Sequence, residues 1–205
     1  MRPLLVAQHL SLDGIIQGPG GPHEDPSEGF TLGGWVAPFG DDGTSEAVQA
    51  LHASPFELLL GRRTYDIWAA YWPHVPDTVP IAAQFNEVRK HVATHRPESL
   101  AWHNSHALPG EVATAVRALK AEAGPALLTW GSGALVRQLL AAGLVDELRL
   151  LLYPVVLGRG KRLFDDRAQP AAFRLESATT SPTGVSIMRY VRSGDVRTGA
   201  IGVRE

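Results

Sequence analysis

Three short stretches of the chain combine residue types that could grip an anion. Gly61-Arg62-Arg63-Thr64 sets two guanidinium groups and a hydroxyl directly behind a glycine. Gly131-Ser132-Gly133 brackets a hydroxyl with two glycines, and Thr94-His95-Arg96 lines up a hydroxyl, an imidazole and a guanidinium. Glycine permits close backbone approach because it has no Cβ. A helix N-terminus presents free N–H groups and the positive end of its dipole. A glycine turn opening a helix is therefore either a bare steric necessity or a phosphate cradle. The arginines at 62 and 63 favour a pyrophosphate beside the first turn, and the trio at 94–96 suits a phosphate monoester such as an adenosine 2′-phosphate.

Proton-transfer chemistry has a separate set of candidates. Asp13 and Asp25 stand first, with His23, Glu24 and Glu28 in the same Gly- and Pro-rich segment. Asp13, in Ser11-Leu12-Asp13-Gly14, can equally be a turn-former. Trp35 could stack on a planar ring, although anchoring the segment to the core is the favoured reading. Metal binding is not expected. His91 and His95 are four apart on a strand, roughly 13 Å, too far to share an ion, and His103 and His106 have no evident third ligand.

The elements that must position these groups are legible in the hydrophobic pattern. Residues 4–10, 56–61 and 126–130 are short apolar runs of buried-strand type, and 90–95 is a further strand. Helical spacing starts with Thr44 or Ser45 as cap, directly after Gly61, at 81–88, at 111–122 and from Leu135. The run 147–158 is apolar almost throughout, as in a strand covered on both faces, with Pro154 implying a bulge or a nearby edge. Two runs flanking Pro182-Thr183-Gly184 read as an antiparallel hairpin. After the first strand, residues 18–43 form a long loop, and such loops inside compact domains are usually functional. Strands alternating with helices imply an α/β fold, a mostly parallel sheet with helices on both faces. The turns after Leu10, Leu60, Thr94 and Trp130 should then open on one sheet edge, where ligands of such sheets bind. One domain over residues 1–192 with a tail at 193–205 is expected.

Composition narrows the partners. The 205 residues are 44% hydrophobic, with a formal charge of −2, which offers no basic footprint for nucleic acid. Absence of cysteine excludes disulfides and thiolate sites and fits a reducing compartment. No window approaches a membrane span, so a cytoplasmic protein with a small-molecule substrate, and possible homodimer formation, is expected.

The segments at 11–18, 58–66 and 130–164, with the final hairpin, resemble the dihydrofolate-reductase-like fold. More closely, they resemble the C-terminal reductase domain of the riboflavin-biosynthesis deaminase-reductases and its stand-alone relatives. That resemblance covers nearly the whole chain and implies a three-layer αβα architecture and an NADPH-dependent reductase. It carries Gly61, Arg62 and Thr64 onto one cofactor-phosphate turn and Gly131, Ser132, Gly133 and Leu135 onto the other. Thr94 falls where the family has a hydroxyl near the adenosine ribose. The family's usual arginine falls at His95, with Arg96 one place on. Asp13, Ile16 and Gln17 approach the nicotinamide in the relatives. Arg159 and Lys161 are candidates for a substrate phosphate. Two other readings remain: a nucleotide-binding protein without catalysis, and a serine hydrolase using Ser132, whose flanking glycines do not match the G-x-S-x-G spacing.

Overall fold

A computed structural model describes residues 1–165 and 168–202. Its frame is one eight-stranded sheet. The strands are β1 (Leu4–Ser11), β2 (Phe56–Gly61), β3 (Lys90–Ala93), β4 (Ser105–Ala107), β5 (Ala126–Trp130), β6 (Glu147–Tyr153), β7 (Ala172–Thr180) and β8 (Ser186–Gly194). They lie in the order β4-β3-β2-β5-β1-β6-β8-β7. Every neighbouring pair from β4 to β6 is parallel, whereas β8 pairs antiparallel with both β6 and β7. Parallel strands need crossovers, and five helices supply most of them: α1 (Asp42–Leu51), α2 (Arg62–Ala69), α3 (Pro80–Glu87), α4 (Val112–Ala121) and α5 (Gly133–Ala141).

Two apolar layers flank the sheet. Val116 of α4 and Leu135, Val136, Leu139 and Leu140 of α5 pack with Leu4, Val6 and Leu127 on one face. Leu51 of α1, Tyr65 of α2 and Phe85 of α3 pack with Ala7, Leu58, Leu60 and Leu128 on the other. The expected three-layer architecture is thus present. Alternating residues of β1 enter opposite layers, which is why that central strand reads as apolar from Leu4 to Ala7.

Several boundaries differ from the sequence reading. The cap of α1 is Asp41, not Thr44 or Ser45. Its carboxylate accepts from the Thr44 amide at 2.7 Å while Thr44 Oγ1 accepts from the Asp41 amide at 3.0 Å. Each orphan donor is satisfied reciprocally, so the helix begins a turn earlier. Strand β6 stops at Tyr153 because Pro154 has no N–H to continue the ladder, so there is no bulge, and the strand is interior. Strand β4, three residues of polar character, has no apolar signature and went unread. Strand β8 runs to Gly194, two residues beyond the expected domain boundary. The expected tail residues 203–205 lie outside the described residues.

Candidate functional site

Gly61, Ala93, Trp130 and Ser11 end parallel strands, so the turns that follow them open on one edge of the sheet. Because β2 and β5 are neighbours, the two glycine turns touch. The Gly61 amide donates to Ser132 Oγ at 2.9 Å, and the Ser132 amide donates to Thr64 Oγ1 at 2.9 Å. These bonds cross-link the N-terminus of α2 to that of α5. Close packing explains the glycines. A Cβ on Gly133 would lie 2.7 Å from Ile16 Cδ1, and one on Gly131, where φ is +54°, would lie 3.2 Å from Thr64 Oγ1. Ser132 itself is left-handed, at φ 51° and ψ 37°, a conformation that costs a non-glycine residue free energy.

A cleft of about 1470 Å³ runs from these turns to the long loop. Ile16, Gln17, Gly61, Arg62, Thr64, Gly131, Ser132, Gly133 and Leu135 all line it, as does Asp25. Asp13, Thr94 and Arg96 do not belong to its lining. Thr94 and Arg96 sit beside it: Thr94 Oγ1 accepts from Arg62 Nη1 at 3.3 Å and from the Arg96 amide at 3.0 Å. Arg62 is also held by Asp66, Ser99 Oγ and the Arg96 carbonyl, so this guanidinium braces α2 against the turn after β3. Arg63 is the more available cation, with a side chain 60% exposed and one bond to Asp25.

Neither carboxylate put first for proton delivery suits that role. Asp13 accepts from Ser11 Oγ at 2.7 Å and from the amides of Leu157 and Gly158 at 3.1 and 2.8 Å. Burial opposes its ionisation, but those hydrogen bonds outweigh burial and hold its pKa below the ordinary value. Asp13 is a loop anchor. Asp25 is buried between Lys161 Nζ at 2.7 Å, Arg63 Nη1 at 2.8 Å and Ser27 Oγ at 2.6 Å. Here too burial raises and the surrounding donors and cations lower, with a net shift downward. An ionised, doubly paired carboxylate has no proton to give.

The long loop is fastened by the same kind of contact. The Gln17 side chain donates to the carbonyls of Asp25 and Ser27, each at 3.0 Å, and accepts from the Lys161 amide at 3.0 Å. Gln17 therefore shapes the cleft wall with its amide already engaged. Trp35 is buried, donates from Nε1 to the Gln17 carbonyl at 2.8 Å and packs edge-on to Tyr153, the anchoring role expected of it. Lys161 serves Asp25 and Ser27, and Arg159 serves the Glu28 carbonyl. Lys161 is thereby engaged by its partners, and Arg159, exposed and bonded through one nitrogen, does not line the cleft. Among the described residues, the only partner of Ser132 Oγ is the Gly61 amide, so it lacks the base a nucleophile needs.

One residue lining this cleft, His9, escaped the sequence reading, whereas Glu24 was among the loop carboxylates considered there behind Asp13 and Asp25. Glu24 lines it with a carboxyl whose pKa is raised, chiefly by burial and further by the Asp25 charge, against hydrogen bonds from the amides of Gly20 and Gly21. His9 lines it from the end of β1, with Nδ1 2.9 Å from the Tyr153 hydroxyl. The polar pair Gln8-His9 inside a central strand that opens with four apolar residues was the available signal.

Residues 3–187 match the family described as the RibD C-terminal domain. The chain belongs to that family. The RibD C-terminal domain family is one of reductase-type domains, and this assignment covers the whole of the cleft. An uncharacterised protein of Bacillus subtilis strain 168, YyaP, is 27% identical over 199 residues, spanning 94% of this chain and 96% of that one. Among solved structures, a putative riboflavin biosynthesis protein from Shewanella sp. PV-4 has a TM-score of 0.63 at 19% identity, covering 93% of this chain and 99% of the other. A pyrimidine reductase-like protein from Corynebacterium diphtheriae has a TM-score of 0.60 at 17% identity, covering 95% and 93%. Both share the fold. Among the described residues, no helix is long and apolar enough to cross a membrane.

Proposed function

We propose that the protein is an NADPH-dependent reductase that delivers hydride to a C=N or C=O group of a small, flat, pterin-like or pyrimidine-like heterocycle. The observation that carries this reading is the cross-link between the two glycine turns, which aims two helix N-termini at one end of a single cleft. A pyrophosphate needs such a place: free amides, positive dipole ends, a nearby cation and no side chains in the way. The first amides of α2 and α5, Thr64 and the exposed Arg63 are the groups that would hold it. A Cβ at Gly133 would force Ile16 Cδ1 to move, and one at Gly131 would press on Thr64 Oγ1 at 3.2 Å with φ at +54°. Arg96, 62% exposed and only 3.8 Å from Asp66, is the group available to a 2′-phosphate.

When bound, the cofactor supplies the hydride, and the chain supplies orientation and dryness. Ile16 and Leu135 are apolar floor residues beside the turns. Ile67, Trp68, Tyr71, Trp72 and Trp130 form the wall, suited to the face of a conjugated ring. Protonation of the reduced substrate falls to Glu24, in place of Asp13 and Asp25. Titration of NADPH, followed by quenching of tryptophan emission, tests the reading. A saturable decrease is expected. No change in emission or melting temperature at millimolar NADPH would defeat it.

A further inference from the structure

His9 lines the cleft beside Trp130 of its wall. Its ring centroid is 5.2 Å from that of Trp130 and 5.5 Å from that of Tyr153. The Nδ1 edge is engaged by the Tyr153 hydroxyl, and since the residue lines the cleft, the edge bearing Nε2 is the one left to it. Which nitrogen carries the proton follows from Tyr153. That phenol is buried, enclosed by the rings of Trp35 and Phe39, and His9 is its only hydrogen-bond partner among the described residues. Were Nδ1 the donor, the phenol proton would be left buried without an acceptor, which is the costly arrangement. With the phenol donating to Nδ1, that proton is satisfied and a neutral imidazole carries its own proton on Nε2.

We propose that His9 is the substrate-orienting donor of this site, offering Nε2–H to the carbonyl oxygen or ring nitrogen of a flat conjugated heterocycle stacked along the tryptophan wall. The proposal rests on the reductase reading above and names its substrate contact. Tyr153 is the positioning residue that fixes the tautomer, as the hydrogen bond on one ring nitrogen sets the role of the other. A neutral imidazole donor polarises a carbonyl while keeping its own proton.

The test uses the full chain labelled with ¹⁵N-histidine, its eight histidines giving eight ring spin systems of two nitrogens each, with His9 assigned by its loss in His9→Gln. Two-bond ¹⁵N–¹H correlations should show His9 as the Nε2–H tautomer, and Tyr153→Phe should move it toward a mixture. The Nδ1–H tautomer in the unaltered protein would overturn the proposal. With NADPH present, lumazine, 6-methylpterin and 5-aminouracil are added in turn, and at least one should shift the His9 Nε2 signal. If none does, the proposal fails. For whichever probe is reduced, His9→Phe should lower kcat/KM by about tenfold or more, with partial rescue in His9→Gln, which keeps an N–H donor. Full activity in His9→Phe would refute the role. The NADPH concentration for half-maximal quenching, rather than its amplitude, should be unchanged in both variants, because His9 adjoins Trp130. Loss of the reductase reading would show separately, as absence of that quenching in the unaltered protein.

Discussion

Glu24 and Asp25 are adjacent in sequence, yet their surroundings push them in opposite directions. Asp25 has Arg63 and Lys161 beside it, whereas among the described residues no cation lies within ion-pair distance of Glu24. Burial therefore dominates at Glu24 and keeps its carboxyl protonated to a higher pH than an ordinary glutamate. If that proton serves the reduced substrate, turnover should fall as pH rises through the raised pKa. Glu24→Gln should lose about 10²–10⁴ in kcat and become insensitive to pH over that range. Stopped-flow single-turnover rates from pH 4 to 8 would check both. The arginines separate in the same way. Arg63→Ala should weaken NADPH by about 1.5–3 kcal/mol if its exposed guanidinium meets phosphate. Arg62→Ala should chiefly loosen the 94–99 turn that Arg62 braces, and fluorescence titration of both variants against NADPH and NADH would distinguish the two effects.

The strand–turn–helix units at β2–α2 and β5–α5 act as one piece because three hydrogen-bonding groups, Gly61 N–H, Ser132 and Thr64, knit them together. Ser132→Ala would leave the Gly61 amide without its acceptor while keeping the left-handed strain at 132. A loss of about 1–3 kcal/mol in urea unfolding is expected, with NADPH affinity reduced in step. Labelling by a fluorophosphonate should not occur at all, since no base activates the hydroxyl. The glycine turns were readable because strand-to-helix transitions with glycine have one steric cause, and strand parallelism followed from alternation of the two periods. What could not be read was which polar groups already had partners. Asp13, Gln17, Arg62 and Lys161 all have the right chemistry for a ligand site, but segments over a hundred residues away meet three of them, and Arg62 is engaged by the turn after β3. Long-range pairing of that kind leaves no local trace. The polar strand β4 and the Asp41 cap were missed for a related reason: hydrophobic period says nothing about elements held by hydrogen bonds alone.

Stability of the entire fold should register both the buried imidazoles and the cleft. His52 is buried among Phe56, Phe85 and Trp130, and burial lowers its pKa from 6.5 to about 4. The unfolded chain binds this proton below pH 6.5, whereas the folded chain refuses it until about pH 4. Stability is therefore lost as pH falls through that window, by at most about 1.4 kcal/mol per pH unit for this group. His52→Leu should reduce the dependence between pH 6.5 and 4 in thermal melts, leaving slopes from His9, whose pKa is likewise lowered to about 4, and from His91, whose pKa burial also lowers. The paired carboxylates contribute at lower pH, whereas Glu24, raised by burial, contributes in the opposite sense above its ordinary pKa, losing stability as pH rises. A ligand that binds only the assembled cleft acts on the same equilibrium. At a hundred times its dissociation constant, NADPH should add about 2.7 kcal/mol, which for a chain of this size is a rise in Tm of roughly 5–10 °C. Gly133→Val, whose Cβ would enter the space held by Ile16, should abolish that rise even if its own Tm is lower. An equal rise in Gly133→Val would mean that NADPH binds elsewhere on the molecule, and the two turns would then be nothing more than well-packed corners of the sheet.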